Sequence, residues 1–160
     1  MLQSLHYFEV FKMGITIRTT SRKATARPID MGAVGFLQLR KKVAELTGDP
    51  WASHYATLCN SIGYALPEGK RAQFYADFDN KTEELLRKKL VPAKIVDFCM
   101  QSDVQGRIHY GACAAILKAA GDYDDNVSYG YAARKDCAKW KDFRDILEDC
   151  VRCKCDMVWE

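Results

Sequence analysis

The chain is poor in side chains that run reactions at neutral pH. It has three histidines in 160 residues: His6, His54 and His109. It contains no GxSxG elbow, phosphate-binding P-loop, glycine-rich dinucleotide fingerprint or HExxH pair. No two carboxylates are set in a pattern that suggests hydrolytic acid–base work. Internal repeats and low-complexity tracts are also missing. No apolar run approaches the ~20 residues that a membrane-spanning helix needs. Residues 1–12 do not read as a secretory leader, because His6, Glu9 and Lys12 interrupt their apolar residues. Met13-Gly14 offers a second start, so residues 1–12 are taken as a disordered extension and residues 13–160 as a single globular domain.

What is present fits a folded soluble protein. Hydrophobic residues make up 48% of the chain and charged ones 28%, enough at this length for one domain with a core. The seven cysteines are an odd number with no export signal, which argues against a disulfide framework and for a reducing, cytoplasmic setting. Cys59, Cys99, Cys113 and Cys137 fall in helical apolar patterns, where a thiol acts as a small hydrophobe. Cys150-x-x-Cys153-x-Cys155 gathers three thiols, with His6 or His109 as a candidate fourth ligand. Structural zinc takes four ligands, usually as two spaced pairs, and the second pair is missing. Cys150 also belongs to a helix's apolar stripe, so packing explains it, and no metal or cofactor is expected. A Cys–His nucleophile fares no better. His54 and Cys59 lie five residues apart, about 500° around a helix. His109 and Cys113 share a face only if their helix begins early. No catalytic residue is assigned.

The periodicity predicts a mostly helical α+β domain. Ile15 and Ile17 alternate with Thr16 and Arg18, the period of a half-buried strand. Ser21-Arg22-Lys23 reads as a turn, and Thr25–Ile29 as the returning strand of a hairpin, at a sheet edge because of Pro28. Phe36, Leu39, Val43 and Leu46 mark a helix that Gly48 stops. Asp49-Pro50 opens a second helix, with Trp51, Tyr55, Leu58, Cys59 and Ile62 on one face. A third spans roughly residues 71–90, broken near Asp79-Asn80, and a fourth follows Pro92. Cys113, Ile116 and Leu117 mark a fifth. Cys137, Trp140, Phe143, Leu147, Cys150 and Val151 mark a sixth on one face, capped by Asp136. Met157 and Trp159 suggest a terminal strand beside the hairpin. The expected sum is about six helices with a small antiparallel sheet.

Between the fourth and fifth helices, Gln101–Ala112 has the frame of an EF-hand calcium loop without its ligands. Gly106 takes the sixth position and Ile108 the eighth, so positions one, three, five and twelve are Gln101, Asp103, Gln105 and Ala112. Calcium wants six to eight oxygens, several of them carboxylate. Here one carboxylate is left, and the loop is expected to join two helices without holding calcium. The motif Ser102-Asp103-x-x-Gly106-x-Ile108, with Cys113 following, and the ending Lys139-Trp140 through Phe143, Leu147, Cys150 and Trp159 resemble small uncharacterised proteins of phages, prophages and gut Firmicutes genomes. The N-terminal hairpin followed by Gly35-Phe36-x-x-Leu39-Arg40 is similar to theirs too. The resemblance implies a viral or mobile-element origin and no fixed chemistry.

Two segments carry the functional expectation. Gly121–Arg134 has no period and holds Tyr123, Asp124, Asp125, Tyr129 and Tyr131. Tyr gives broad contact area at small entropic cost, with polar neighbours supplying adaptable hydrogen bonds. The plainer reading is a solvated turn whose tyrosines fold back on the core. The hairpin turn adds Arg18, Arg22 and Lys23, with Arg27 nearby. Charge follows this division: residues 1–46 carry eight Lys and Arg against three Asp and Glu. The reading is a non-enzymatic binding protein that occupies a surface of a host protein, such as a component of host defence. The alternative is a small-ligand protein that sequesters or hydrolyses a nucleotide signal, with basic residues on phosphates and a Tyr on the base. A third is nucleic-acid binding through the basic N-terminal third.

Overall fold

The computed structural model describes residues 14–61, 66–130 and 137–160. Tyr131, Asp136 and His6, and the extension over residues 1–12, lie outside them. The elements run β1 (Gly14–Thr19), β2 (Ile29–Gly32), α1 (Ala33–Thr47), α2 (Trp51–Ser61), α3 (Glu68–Arg87), α4 (Ala93–Met100), β3 (Gly106–Ile108), α5 (Tyr110–Ala120), β4 (Ser128–Tyr129), β5 (Ala138–Lys139), α6 (Trp140–Cys153) and β6 (Met157–Trp159). The described residues thus form six helices and a small antiparallel sheet holding the hairpin and the terminal strand, as the periodicity predicts; β3 also joins that sheet and β4 and β5 form a second, two-stranded one, neither of which the periodicity predicts.

The larger sheet has the order β2-β1-β6-β3, with every pairing antiparallel. Its period-two pattern decides which face is inside. Ile15 and Ile17, Ile29 and Met31, Ile108, and Met157 and Trp159 turn inward, while Thr16, Arg18, Asp30, Arg107 and Val158 face outward. The helices bury their stripes against that inner face: Phe36, Leu39 and Val43 of α1, and Trp140, Phe143, Ile146, Leu147 and Cys150 of α6. Each large side chain taken fully out of water contributes about 1.5–3 kcal/mol. Aromatic contacts join the layers, with Trp159 5.6 Å from Phe36 and 5.8 Å from Phe98 between ring centroids.

The hairpin returns later than Thr25–Ile29. The strand is Ile29–Gly32, because the N–H groups of Thr25 and Ala26 are bonded to the Asp149 carboxylate and not to a strand partner. It does lie at the sheet edge. Helix α3 starts earlier than residue 71 and passes Asp79-Asn80 unbroken. Asp49 caps α2: its Oδ1 accepts from the Ser53 N–H at 3.0 Å. The sixth helix starts later than expected, at Trp140 with Lys139 and not Asp136 as its N-cap, because Asp142 accepts from the Lys139 N–H at 2.9 Å; Cys137 therefore precedes the helix, and Val151 is exposed and off its buried face. Helix α6 ends in a Schellman turn. Lys154 is left-handed at φ 49°, the Cys155 N–H reaches the Cys150 carbonyl at 3.0 Å, and the Lys154 N–H reaches the Val151 carbonyl at 3.3 Å. That turn is why Cys150 and Cys155 lie close together.

Candidate functional site

Helix α6 carries both segments singled out by the sequence, one at each end. At its N-terminal end Arg144 fastens the loop that leaves α5. Its Nε donates to Asp125 Oδ1 at 2.7 Å, Nη1 to the Gly121 carbonyl at 3.0 Å and Nη2 to the Tyr123 carbonyl at 3.0 Å. The loop is also closed within itself: the Asn126 N–H donates to Asp124 Oδ1 at 2.8 Å, and the Trp140 N–H donates to the Val127 carbonyl at 2.8 Å. Tyr123 stands edge-on to Trp140, with centroids 5.0 Å apart, and Lys42 lies over its outer face. The Tyr123 and Tyr129 hydroxyls are bonded to each other at 2.9 Å. Tyr129 is 4% exposed, and its β4 partner strand holds it under α1. A side chain on Gly35 of α1 would run into Gly130 backbone, so the approach there depends on glycine. Burial, reinforced by the Tyr123 hydroxyl, pushes the Tyr129 phenol far above its usual range.

At the C-terminal end Asp149, itself buried, fastens the hairpin turn. Oδ2 accepts from the Thr25 N–H at 2.7 Å and the Ala26 N–H at 2.6 Å, and the Arg152 guanidinium donates to Oδ1. Arg152 Nη2 also reaches the Lys23 carbonyl at 3.4 Å. The Thr20 N–H donates to the Asp156 carbonyl at 2.9 Å, and the Asp156 N–H to Thr20 Oγ1 at 3.0 Å. Arg144 and Arg152 are eight residues apart, about 12 Å along the helix axis.

The structure therefore divides the seven candidate residues that it describes. Arg22 and Lys23 are exposed on the fastened turn, and Arg18 is paired with Glu160 at 3.3 Å on the outer face of the sheet. Asp124 is exposed, Asp125 and Tyr123 are half-buried, and Tyr129 is inside. A nucleotide with its base on a loop tyrosine and its phosphates on the hairpin would have to span α6. Sequence reasoning missed Arg144, Asp149 and Arg152, the three residues that hold both loops. Asp149 had one signal, a carboxylate next to Cys150 at the margin of an apolar stripe.

The calcium-like loop is closed by protein groups. The Gln101 side-chain amide is bonded to both backbone groups of Arg107, the seventh position, whose carbonyl would face calcium in a true EF-hand. Arg40, 3% exposed, donates to the Gln101 carbonyl at 2.8 Å and the Ser102 carbonyl at 3.1 Å, with its guanidinium over Phe36, Phe98 and Trp159. Among the described residues no three His, Cys, Asp or Glu side chains gather where a metal ion would fit.

The buried thiols and His54 are placed for packing, while His109 is exposed at the N-cap of α5. Burial pushes the Cys99 thiol up to about 12 and raises Cys59. Cys150 is raised first by its hydrogen bond with Cys113 and then by burial. His54 Nε2 is 2.8 Å from Thr82 Oγ1, with its ring stacked on Phe78, and His109 Nδ1 accepts from the Gly111 N–H. No described helix is long and apolar enough to cross a membrane. No family model matches the chain, and no curated protein and no solved structure matches it.

Proposed function

We propose that the chain is a non-enzymatic binding protein of phage or mobile-element origin that works by covering a surface of a partner protein, such as a component of host defence. The observation that supports this is the triple grip of Arg144 on the loop after α5. Holding an irregular polar loop in one shape removes ordering cost from a later association, the usual advantage of a preorganised recognition surface. What the loop offers outward is Asp122, Asp124, Asn126 and Ser128, with the half-buried edge of Tyr123 beside them. This surface fits a partner with basic side chains at the contact. The origin rests on the resemblance of the Ser102–Ile108 motif and the C-terminal pattern.

The test is capture of partner proteins from host-cell extract by the tagged chain, compared with a variant carrying Asp122→Lys and Asn126→Lys. Both positions are exposed, and neither side chain is used to hold the loop. Loss of a stoichiometric partner, with unchanged melting temperature, is the expected result. Equal capture by both proteins would remove this loop as the contact surface.

A further inference from the structure

The hairpin turn and the end of α6 form one charged corner that neither segment shows alone. Residues 20–27 and 149–156 hold five cations, Arg22, Lys23, Arg27, Arg152 and Lys154, against two carboxylates, Asp149 and Asp156, a net of +3. The whole chain is also +3, so its other residues are neutral in sum. The two carboxylates are already committed: Asp149 is buried under Thr25, Ala26 and Arg152, and Asp156 is paired with Arg107. Arg22, Lys23, Arg27 and Lys154 are all exposed, and none is in an ion pair among the described residues. Their backbone is fixed. The turn is bonded to Asp149 and Asp156 from two sides, and Lys154 occupies the left-handed position of the Schellman turn.

We infer that this corner is a second binding surface, distinct from the loop of the proposed protein contact, and that it takes the phosphate backbone of a nucleic-acid duplex. The side chains decide between a phosphate backbone and an acidic protein. A protein interface has an apolar or aromatic centre with charge at its rim. Here residues 20–27 and 149–156 contain no aromatic side chain, and Val151 is their one large exposed hydrophobe. With no aromatic platform there is nothing to stack a splayed base, so the contact is to the backbone of a duplex and independent of sequence. Phosphates can also accept from Ser21 and from the unpaired cations at once, which suits Arg and Lys on a fixed turn.

The experiment is fluorescence anisotropy with labelled DNA duplexes of two unrelated sequences, and with a labelled poly-glutamate peptide as the acidic-protein arm, over a salt series. Four phosphate contacts give a slope of log K against log salt of about −3.6, or roughly a hundredfold loss of affinity between about 50 and 200 mM salt. Both duplexes should bind alike, poly-glutamate weakly. Arg22→Ala with Lys23→Ala should shrink the slope by about half. Lys70→Ala with Arg71→Ala, the same charge change on α3, should leave binding unchanged. Melting temperatures check that both variants are folded. Three results would overturn the inference: absence of duplex binding at the lowest salt, poly-glutamate binding as tight as duplex, or equal loss from the two variants.

Discussion

The Gln101 side chain stands in for a neighbouring strand at Arg107: Nε2 donates to the Arg107 carbonyl at 2.7 Å, and Oε1 accepts from the Arg107 N–H at 2.9 Å. Arg107 sits in β3, which pairs with β6 on one side and ends the sheet on the other. An open edge offers its unused backbone groups to any passing strand, and this amide occupies them. Replacing Gln101 with Ala should cost about 1–2 kcal/mol, since two hydrogen bonds at a partly solvated site are lost. Gln101→Glu should recover little of it, because a carboxylate cannot donate to the Arg107 carbonyl. Urea midpoints of the three proteins test this, and equal stability of Gln101→Ala and wild type would show that water replaces the amide without cost.

Gly106 is needed for a different reason from the one its sequence position suggests. In a calcium loop the sixth residue is glycine for a sharp turn. Here Gly106 lies in β3 opposite Trp159, and a methyl group on it would overlap the indole ring. Gly106→Ala should therefore destabilise by about 1–3 kcal/mol or more through overpacking. Trimming the ring in the double variant with Trp159→Phe should make the alanine less damaging than it is beside Trp159. A double-mutant cycle in thermal unfolding measures the coupling. Additive effects would mean that backbone shape, and not the ring, selects the glycine.

The two glycine readings show where the sequence was legible. Periodicity placed the stripes of α1 and α6, because Phe36, Leu39, Trp140, Phe143 and Leu147 repeat at helical spacing and all are fully buried. It also paired Met157 and Trp159 with the hairpin, since period two at a chain end leaves few partners. It did not show Arg40 turned inward, because the first of three consecutive cations, Arg40-Lys41-Lys42, reads as solvent-facing until three aromatic rings and two carbonyls converge on it. Nor did it show Tyr129 under α1, since the loop has no period and its burial depends on Gly35 and on a two-residue pairing with β5. The loops are fixed by long-range polar bonds from Arg144 and Asp149, and spacing along the chain carries no trace of those.

His54 makes stability depend on mild acid. Thr82 gives its hydroxyl proton to the Phe78 carbonyl at 2.9 Å, so its oxygen accepts from His54 Nε2–H. Burial holds the imidazole below its ordinary value, with Lys81 adding to the effect and a backbone hydrogen bond at Phe78 opposing it. The unfolded chain then binds a proton that the folded chain resists. Stability is full above about pH 6.5 and falls as pH drops from there toward the lower folded value. His54→Gln keeps an N–H for Thr82 and has no proton to gain, so its melting temperature should be flatter across that window. A wild-type profile as flat as the variant's would remove His54 as the cause.

Asp149 adds a dependence of the same sign at lower pH. Burial acts to raise its carboxyl, but the Ala26 N–H, the Arg152 guanidinium and the Thr25 N–H outweigh burial and hold it below the usual carboxylate value. A depressed carboxyl stabilises the fold above the unfolded value of about 3.9 and loses that contribution as pH falls through the folded value. Asp149→Asn keeps the shape and one acceptor oxygen but removes the charge, so it should cost about 1.5–3 kcal/mol near neutral pH. Arg152→Ala should cost less, because its side chain is 54% exposed and water screens the pair. In urea titrations the gap between wild type and Asp149→Asn should narrow as pH falls below the carboxylate range. If the gap stays constant from neutral pH into strong acid, the two backbone N–H groups are held by shape alone and the charge on Asp149 contributes nothing.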